Sequence, residues 1–513
     1  MTAITNIRKH GSLAIVLATC LLLSLLYCPP LDIFQLDKEV FRYAGMLMRK
    51  GYMPYRDLFD HKPPLIYFLN YFGYLMGPWG FWLIDTSLVT LASILFFRTC
   101  RQYRLPFPWL LPLLFNLLIR NYIVCIGTGM TRSYTAVFQL IFFSILLSNI
   151  RSRYFFMGAL AALILFMQQD QVLPLLPFLI YALFSRSEPS PEAAPNPFPG
   201  AALNASPATP IPPLRRWTHL VLGAAIITIP ILLYFIHNLT PFWNDAFAFN
   251  FIQYARKQPF MDLFRAIKAG LQFTTCEVPF LVALSIGCTA QLMKGTANKK
   301  LVAAALVSAL LSLSPQFISG KSGYGFNYYF MTLSATIPIL VFTALAFARN
   351  NFMTDRKFQA LLGILLCAMP MSNFLLRCSH LSPGEKDRVI GNFPEFKYLS
   401  HQAFAINHEN YQLYLMGDGN WIYAYNKLGV LAPSHWIYHQ FWTWYDNWDT
   451  DHKELEGIIG DLQRRHTKYI IYIGEFPWKD KTARTIWETF LSTNYTLVRP
   501  PGSWTPILWQ LRQ

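Results

Sequence analysis

A polar stretch with the residue types of a catalytic site occupies residues 36–67, between two strongly apolar segments. Two of its carboxylates, Asp37 and Glu39, are groups of the kind that accept a proton from a hydroxyl in general base catalysis. Three of its basic side chains carry the charge that neutralises a phosphate leaving group: Lys62, Arg42 and Arg56. The same charges also suit a simpler interpretation, in which they solvate a loop and bind anionic lipid as interfacial anchors.

The local pattern around these charges predicts two helices that lie along a membrane surface. Residues 38–50 have apolar side chains at helical spacing, which is typical of an interfacial helix. Gly51 then turns the chain. Pro63 and Pro64 stop any helix before an apolar segment, residues 65–76, continues along the interface. The charged residues are therefore expected at the level of the lipid headgroups.

The composition of the chain indicates a membrane protein. Only 14% of its 513 residues are charged and 54% are hydrophobic, whereas soluble domains carry about 25% charged residues. The net charge of +16 is compatible with nucleic acid or anionic lipid as a partner, and the hydropathy favours lipid. The composition therefore excludes an ordinary soluble enzyme and predicts the lipid bilayer, not nucleic acid, as a partner.

Eleven apolar segments are predicted to cross the bilayer, each close to the roughly 20 residues that a helical crossing needs. The predicted crossings are residues 11–28, 81–97, 106–126, 133–150, 154–167, 172–184, 219–236, 278–293, 301–318, 328–347 and 358–376. The fifth and sixth are short and need flanking residues to span. The expected fold is that of an α-helical polytopic membrane protein.

Basic residues indicate the side of the membrane on which each loop lies. The N-terminus and the loops after the second, fourth, sixth, eighth and tenth crossings carry the Lys and Arg clusters, and such clusters stay in the cytoplasm. A segment rich in Pro, Ala and Ser, residues 185–216, is then a flexible cytoplasmic loop. The first loop, residues 29–80, and everything after Leu376 face outside. The expected location is the bacterial cytoplasmic membrane.

The last part of the chain, residues 378–513, has the polar and aromatic composition of an extracytoplasmic domain. Short apolar runs predict buried strands, and amphipathic patterns predict helices. These are residues 412–416 and 469–473 for the strands, and residues 451–466 and 481–493 for the helices. Because strands that alternate with helices are typical of α/β structure with parallel pairing, we expect a C-terminal α/β domain after a transmembrane domain of residues 1–377.

The cysteine and histidine spacing does not indicate a metal site. The eight cysteines lie mostly in or beside predicted helices, and they show no paired spacing of the zinc-binding type. The histidines are scattered along the chain. No metal or cofactor is assigned, and a divalent cation held by carboxylates stays open.

The polar stretch resembles a known family. An acidic residue before an aromatic-Arg-Tyr helix, followed by Gly-Tyr-Met-Pro-Tyr-Arg-Asp and Asp-His-Lys-Pro-Pro-Leu, resembles the first outer loop of bacterial transferases related to protein O-mannosyltransferases and the lipid A aminoarabinose transferase. These enzymes belong to the glycosyltransferase C (GT-C) superfamily. Residues 319–330 resemble the family's late motif, in which His or Asn precedes a Tyr-Tyr pair at a helix start, and residues 415–418 resemble its outer domain.

The resemblance implies a polyprenyl-phosphate sugar donor that enters from the lipid, and transfer of the sugar on the outer face to a hydroxyl or similar acceptor. The family's general base is an Asp of the first loop, which corresponds to Asp37. Alignment on the Arg-Tyr pair of the helix gives Glu39 that position instead, so both stay open. Lys62 matches a lysine that contacts the donor phosphate, with Arg42 and Arg56 as further phosphate contacts. The other implied substrate contacts are Tyr43, Tyr55, Asp57, Asp60, His61, Lys321, Tyr324 and Asn327.

Two other interpretations stay open at the level of the sequence. A transporter or flippase of lipid-linked sugars accounts for basic and aromatic outer surfaces, but such proteins usually contain two matching halves, and no internal repeat is visible. A non-catalytic envelope assembly protein accounts for the outer domain. The donor sugar, and an acceptor that is a protein, a lipid or an envelope glycan, are not specified by the sequence.

Overall fold

Helices dominate the structure, which is a computed structural model. It describes residues 2–32, 35–121, 129–185, 212–254, 260–274, 276–294, 296–314, 327–347, 353, 355–384, 409–417, 422–439, 449–473, 477–478, 480–499 and 507–512. The apolar helices come first along the chain, and a small sheet with its own helices follows. This order agrees with the order that the hydropathy predicts.

Each of the eleven segments predicted to cross the bilayer contains a helix. A helix is the expected structure there because it satisfies the backbone hydrogen bonds within one segment. In chain order the helices are α1 (Thr2–Leu25), α2 (Leu36–Arg49), α3 (Leu65–Leu75), α4 (Gly80–Gln102), α5 (Leu110–Ile119), α6 (Thr131–Leu146), α7 (Arg153–Met167), α8 (Leu176–Phe184), α9 (Pro213–Tyr234), α10 (Leu239–Trp243), α11 (Phe260–Phe273), α12 (Glu277–Leu292), α13 (Lys299–Leu311), α14 (Leu333–Phe347) and α15 (Arg356–Ser379).

Four helices of the described residues are long and apolar enough to cross a membrane by length and composition. They are α4, α9, the continuous run Tyr328–Phe347 that contains α14, and α15. The other predicted crossings are shorter helices, and one of them begins with a 3₁₀ turn, Gln169–Leu175, that contains Pro174. For these shorter helices the crossing itself stays a prediction.

Helix α14 lies at the centre of the helical bundle. All of the apolar stretch Tyr328–Phe347 is buried inside the protein, against 11% of the stretch that contains α9. Helix α9 exposes large apolar side chains, including Ile226 and Leu233, as a lipid-facing helix does. The bundle therefore has an inner helix surrounded by helices with apolar outer faces.

Two glycines bring α7 and α9 into close contact. A Cβ atom at Gly158 would collide with the carbonyl oxygen of Leu220, and one at Gly223 would collide with the carbonyl oxygen of Phe155. Small residues let helix backbones approach closely, which is a common basis of helix association in membranes. The pairing of these two helices depends on the absence of side chains at both positions.

The two segments predicted to be helices are helical, as α2 and α3, while their location along the membrane surface stays a prediction. The N-cap of α2 is Gln35, whose side-chain oxygen accepts a hydrogen bond from the backbone N–H of Lys38 at 3.1 Å. Two carboxylates, Asp37 and Glu39, lie in the first turn of α2, where they complement the positive end of the helix dipole. This placement explains locally why the acidic residues begin the helix.

The C-terminal part forms a four-stranded sheet in the order β1-β2-β4-β3. Its elements are β1 (Leu413–Gly417), α16 (Ile422–Leu428), α17 (Lys453–Arg464), β2 (Tyr469–Ile473), α18 (Lys481–Asn494), β3 (Tyr495–Arg499) and β4 (Ile507–Leu511). Strands β1 and β2 are parallel, with Leu413 opposite Tyr469, and this confirms the predicted parallel pairing. Strands β3 and β4 are antiparallel and were not predicted.

The prediction that residues 185–216 form a loop is wrong for the C-terminal end of this segment, which is helical. Residues 186–211 lie outside the described residues, but Pro213 begins α9, as proline often does in the first turn of a helix. Arg216 is buried in that turn and donates hydrogen bonds to the carbonyl oxygens of Ala182 (3.1 Å) and Ser185 (2.8 Å). These two hydrogen bonds hold the start of α9 against the end of α8.

Candidate functional site

Asp37 is half-buried in the first turn of α2 and faces the second half of the first loop. Burial raises the pKa of its carboxyl group, while the positive charge of Lys62 and a hydrogen bond from Tyr328 oppose that rise. Asp60 and His61 also act on it electrostatically. The structure thus brings Asp37 together with Lys62, Asp60 and His61, all four of which are predicted site residues.

Lys62 is buried, with 6% of its surface exposed. Two tyrosines fix its backbone, because the hydroxyl of Tyr55 donates to the Lys62 carbonyl oxygen at 2.6 Å and that of Tyr67 lies 3.2 Å from it. Within the described part of the chain, Lys62 forms no ion pair with a carboxylate. A buried ammonium group that stays available in this way is suited to an anionic ligand.

Asp60 acts as the anchor of this loop. Its carboxylate accepts hydrogen bonds from the backbone N–H of His61 (2.7 Å), from the hydroxyl of Tyr67 (2.7 Å) and from the hydroxyl of Tyr438 (3.0 Å). Burial alone would raise its pKa, but the hydrogen bond and charge of His61, the charge of Lys62 and the hydrogen bond of Tyr67 together lower it. Asp60 is therefore a weak base that holds the loop in place.

His61 is buried beside charged side chains. Burial lowers the pKa of its imidazole, and the neighbouring charge of Lys62 lowers it further. Its carbonyl oxygen accepts a hydrogen bond from the side-chain amide of Asn250 at 2.6 Å, and its ring packs near the ring of Phe249. These contacts join the first loop to the helical turns that follow α9.

Glu39 points away from this cluster and into a separate polar network. It is fully buried, and its carboxylate accepts hydrogen bonds from Arg42 at 3.1 Å and from the side chain of Asn426 at 2.9 Å. Arg42 is held by a second carboxylate, because its guanidinium lies 2.6 Å from Asp32. Lys38 pairs with Asp32 as well, at 2.6 Å. Glu39 and Arg42 thus have hydrogen-bond and ion-pair partners within the protein.

Three more predicted contacts lie away from Asp37. The hydroxyl of Tyr43 accepts a hydrogen bond from the backbone N–H of Ala432 at 2.9 Å, so Tyr43 packs into the outer part of the protein. Arg56 is exposed and pairs with Asp57 at 2.7 Å. Asp57 also accepts a hydrogen bond from the backbone N–H of Met53 at 2.8 Å. These residues shape the loop around the cluster.

The late motif contributes Tyr328. Lys321 and Tyr324 lie outside the described residues, as does the side chain of Asn327. The adjacent Tyr329 packs its ring under the guanidinium of Arg132, 4.1 Å from its centroid. Since the backbone around Tyr329 is fixed by this contact, Tyr328 is directed toward Asp37.

The arginine that supports Tyr329 belongs to a second buried ion pair. Arg132 lies 2.8 Å from Asp170, whose other carboxylate oxygen accepts a hydrogen bond from Gln168 at 2.8 Å. Thr332, in the turn that starts with Asn327, donates to the side-chain oxygen of Gln171 at 2.6 Å. This network joins the hairpin between α7 and α8 to the start of the central helix.

Two of the cavities formed by the described residues border the first loop on different sides. One, of about 250 Å³, opens between α2, α3 and α16. The other, of about 550 Å³, lies between the first loop, the turns after α9 and the outer part of the chain. The first is lined by Asp32, Lys38, Arg42, Tyr74, Trp82 and Lys427, among others. The second is lined by Tyr55, Phe59, Asp245, Phe249, His435 and Trp436, among others.

Several residues that build the site were not predicted. Tyr438 and Asn426 contact the first loop from positions 378 and 387 residues away along the chain, and no local pattern marks them. Asp32 lies just before the polar stretch, and its charge is the feature of the sequence that could have marked it as a site residue. In the described residues, no group of three or more His, Cys, Asp and Glu side chains has the arrangement of a metal site.

The fold is similar to that of a known membrane protein. No protein-family model and no curated protein matches the sequence. Among solved structures, ArnT from Cupriavidus metallidurans in the apo state has a TM-score of 0.58 at 12% identity, with 98% of each chain covered. The same protein bound to undecaprenyl phosphate has a TM-score of 0.56 at 12% identity, with 97% of this chain and 98% of that chain covered. The chain therefore has an ArnT-like fold over nearly its whole length, which confirms the predicted fold class.

Proposed function

We propose that the protein is a membrane glycosyltransferase that moves a sugar from a polyprenyl-phosphate donor to an acceptor on the outer face of the cytoplasmic membrane. The observation that carries the proposal is that the buried charge of Lys62 acts on the carboxyl group of Asp37 in the first loop of an ArnT-like fold. A carboxylate that accepts a proton beside a buried cation that attracts phosphate suits this reaction. A neighbour in fold that binds undecaprenyl phosphate supports the donor class.

In the proposed reaction Asp37 acts as the general base. It takes the proton from an acceptor hydroxyl as that oxygen forms a bond to the anomeric carbon of the donor sugar. The bond between that carbon and the phosphate oxygen breaks, and the electron pair leaves with polyprenyl phosphate. Lys62 stabilises the charge that the phosphate gains in the transition state, and its fixed backbone keeps the ammonium group in position.

The buried contacts of Glu39 favour Asp37 in the choice that the sequence leaves open. Glu39 is satisfied by Arg42 and Asn426, and a carboxylate with two charge-assisted or amide donors is a poor base. For the same reason Arg42, which pairs with both Asp32 and Glu39, is a weaker candidate for a phosphate contact than Lys62. Glu39 and Arg42 are proposed to hold α2 in place.

The test is release of polyprenyl phosphate from a panel of polyprenyl-phosphate sugars by the purified protein in detergent. Asp37→Asn is expected to lower the rate about 10²-fold or more, as the loss of a general base does. Lys62→Ala is expected to lower it by a comparable factor, about 10²–10³-fold. Glu39→Gln keeps a hydrogen-bonding side chain of equal size and serves as the matched control, with most of the activity retained.

Each other outcome contradicts a defined part of the proposal. Loss of activity in Glu39→Gln alone would identify Glu39, two positions after Asp37 on the helix, as the general base. Donor binding without release, unchanged by all three substitutions, would favour a transporter of lipid-linked sugars. Neither donor binding nor release would favour a non-catalytic assembly protein.

A further inference from the structure

The larger cavity has the dimensions of a site for a small ligand. Its volume is about 550 Å³, and ligand-binding pockets usually measure about 300–1,000 Å³. Its walls come from four parts of the chain: the first loop, α10 with the turns that follow it, the segment around Trp436, and Glu454 at the start of α17. The first loop and the last part of the chain thus border one common cavity.

Aromatic rings form one wall of this cavity. The ring centroids of Phe59 and Trp436 are 4.2 Å apart, and those of Phe59 and Phe249 are 5.6 Å apart. The backbone N–H of Phe59 donates to the carbonyl oxygen of His435 at 3.0 Å, which fixes the two sides of the wall together. Rigid aromatic faces carry partial negative charge, and the C–H face of a sugar ring packs against such a surface.

The arginine in the lining of the larger cavity has its positive charge balanced by a neighbouring carboxylate. Arg56 is paired with Asp57, and burial lowers the pKa of His435, which leaves its imidazole neutral. Asp245 and Glu454 contribute carboxyl groups and Asn244 an amide. Burial and the nearby charge of Asp60 raise the pKa of Asp245 to about 7, so its carboxyl group is able to donate or accept a hydrogen bond near neutral pH.

The two cavities therefore differ in the charge that they offer. Three basic side chains, Lys38, Arg42 and Lys427, line the smaller one together with two carboxylates, whereas Arg56 lines the larger one together with two carboxyl groups. An anionic ligand would be repelled from the larger cavity, and a hydroxyl-rich ligand finds both donors and acceptors there.

The larger cavity also adjoins the reacting groups. Tyr55 lines it and donates its hydroxyl proton to the carbonyl oxygen of Lys62. Asp245 is close enough to Asp60 for the two carboxyl groups to interact electrostatically. A ligand in this cavity therefore lies next to the segment that carries Lys62 and faces Asp37.

We propose that the larger cavity binds the acceptor, and that the acceptor is an uncharged carbohydrate bound through its ring face and hydroxyl groups. This proposal rests on the proposed function, since it names the substrate that receives the sugar. It excludes a phosphorylated carbohydrate as the group held in this cavity.

The test is direct binding of soluble saccharides to the full-length protein in detergent, measured by saturation-transfer NMR. The probes are methyl glycosides and disaccharides of neutral hexoses, each paired with its 6-phosphate. We expect saturable binding of at least one neutral probe and weaker binding of its phosphate. Asn244→Trp, which fills the mouth of the cavity from an exposed position, is expected to weaken binding about ten-fold or more, a loss of about 1.4 kcal/mol.

A neighbouring position supplies the control. Trp243 is 60% exposed and does not line this cavity, so Trp243→Asn is expected to leave saccharide binding unchanged. Tighter binding of a phosphorylated probe, no saturable binding of any neutral probe, or full binding by Asn244→Trp would overturn the inference. Release of polyprenyl phosphate that depends on Asp37, in a protein that fails this test, would leave the proposed function standing.

Discussion

At the scale of single residues, the carboxyl group of Asp37 is subject to opposing effects. Burial raises its pKa, while the charge of Lys62 and the hydrogen bond from Tyr328 lower it. A general base works only when it is deprotonated, so the rate of a reaction that depends on Asp37 rises as pH increases through this pKa. In the proposed reaction, the neighbours of Asp37 therefore set the acidic limit of activity.

Tyr328→Phe tests this balance. The substitution removes a hydrogen bond that favours the carboxylate, so the pKa of Asp37 rises and the acidic limb of the pH–rate profile moves to higher pH. A hydrogen bond to a charged group contributes about 1.5–3 kcal/mol, which corresponds to a shift of about one to two pH units. The measurement is donor turnover between acidic and mildly basic pH.

Tyr71→Phe is the matched control, because Tyr71 lies on α3 with its ring against Phe72. It should keep the wild-type profile. An acidic limb that stays in place in Tyr328→Phe, or that moves to lower pH, would contradict the role given to Asp37.

The residue scale also shows which parts of the site a sequence reveals. Asp37, Asp60, His61 and Lys62 are close in the first loop, and their types and spacing were enough to group them. Glu39 could not be separated from Asp37 by pattern, since both lie in the first turn of α2. What separates them is a partner, Asn426, that is 387 residues away, and no local pattern contains that contact.

At the scale of elements, α2 is held by a buried network. Glu39→Ala would leave Arg42 without one of its two carboxylates and Asn426 without its acceptor. Removing one partner of a buried ion pair costs about 3–5 kcal/mol. We expect Glu39→Ala to lower the Tm of the detergent-solubilised protein clearly, as measured by intrinsic fluorescence.

Glu39→Gln tests the same network more gently. It keeps one oxygen that accepts the hydrogen bond from Asn426 and loses the charge and the oxygen that accepts from Arg42, so its Tm should fall between those of the wild type and Glu39→Ala. Equal Tm values for all three proteins would show that the network does not stabilise α2.

Elements with a strong hydrophobic periodicity were predicted from the sequence, and elements with a weak periodicity were not. Helices α2 and α3 followed from apolar spacing and prolines. Strand β3 was missed because Leu497 and Val498 are both partly exposed, so the alternation of a half-buried strand is absent. Its position is fixed by pairing with β4, in which Leu497 faces Trp509.

At the scale of the whole molecule, the contact between α7 and α9 is a point where the bundle tolerates no side chain. Gly158→Leu would force the two helices apart, since even a Cβ atom there meets the carbonyl oxygen of Leu220. We expect a large loss of thermal stability and of monodisperse protein in size-exclusion chromatography. Gly457→Leu, on α17 with nothing within 4 Å of its Cβ position, is the control and should behave as the wild type.

A Gly158→Leu protein as stable as the control would show that this helix contact does not support the bundle. The fold as a whole was predictable because composition and hydropathy require many helices in lipid, and this class of fold follows. The close approach of α7 and α9 was not predictable, since Gly158 and Gly223 have no pattern that pairs them.

The bond between Asp60 and Tyr438 also has a consequence for biosynthesis. These residues are separated by 378 positions, and Asp60 holds the loop that carries Lys62. While the ribosome is still making the chain, the first loop has already been synthesised, but the tyrosine that anchors it has not. The nascent protein therefore carries a loop without its anchor until the last quarter of the chain has been made.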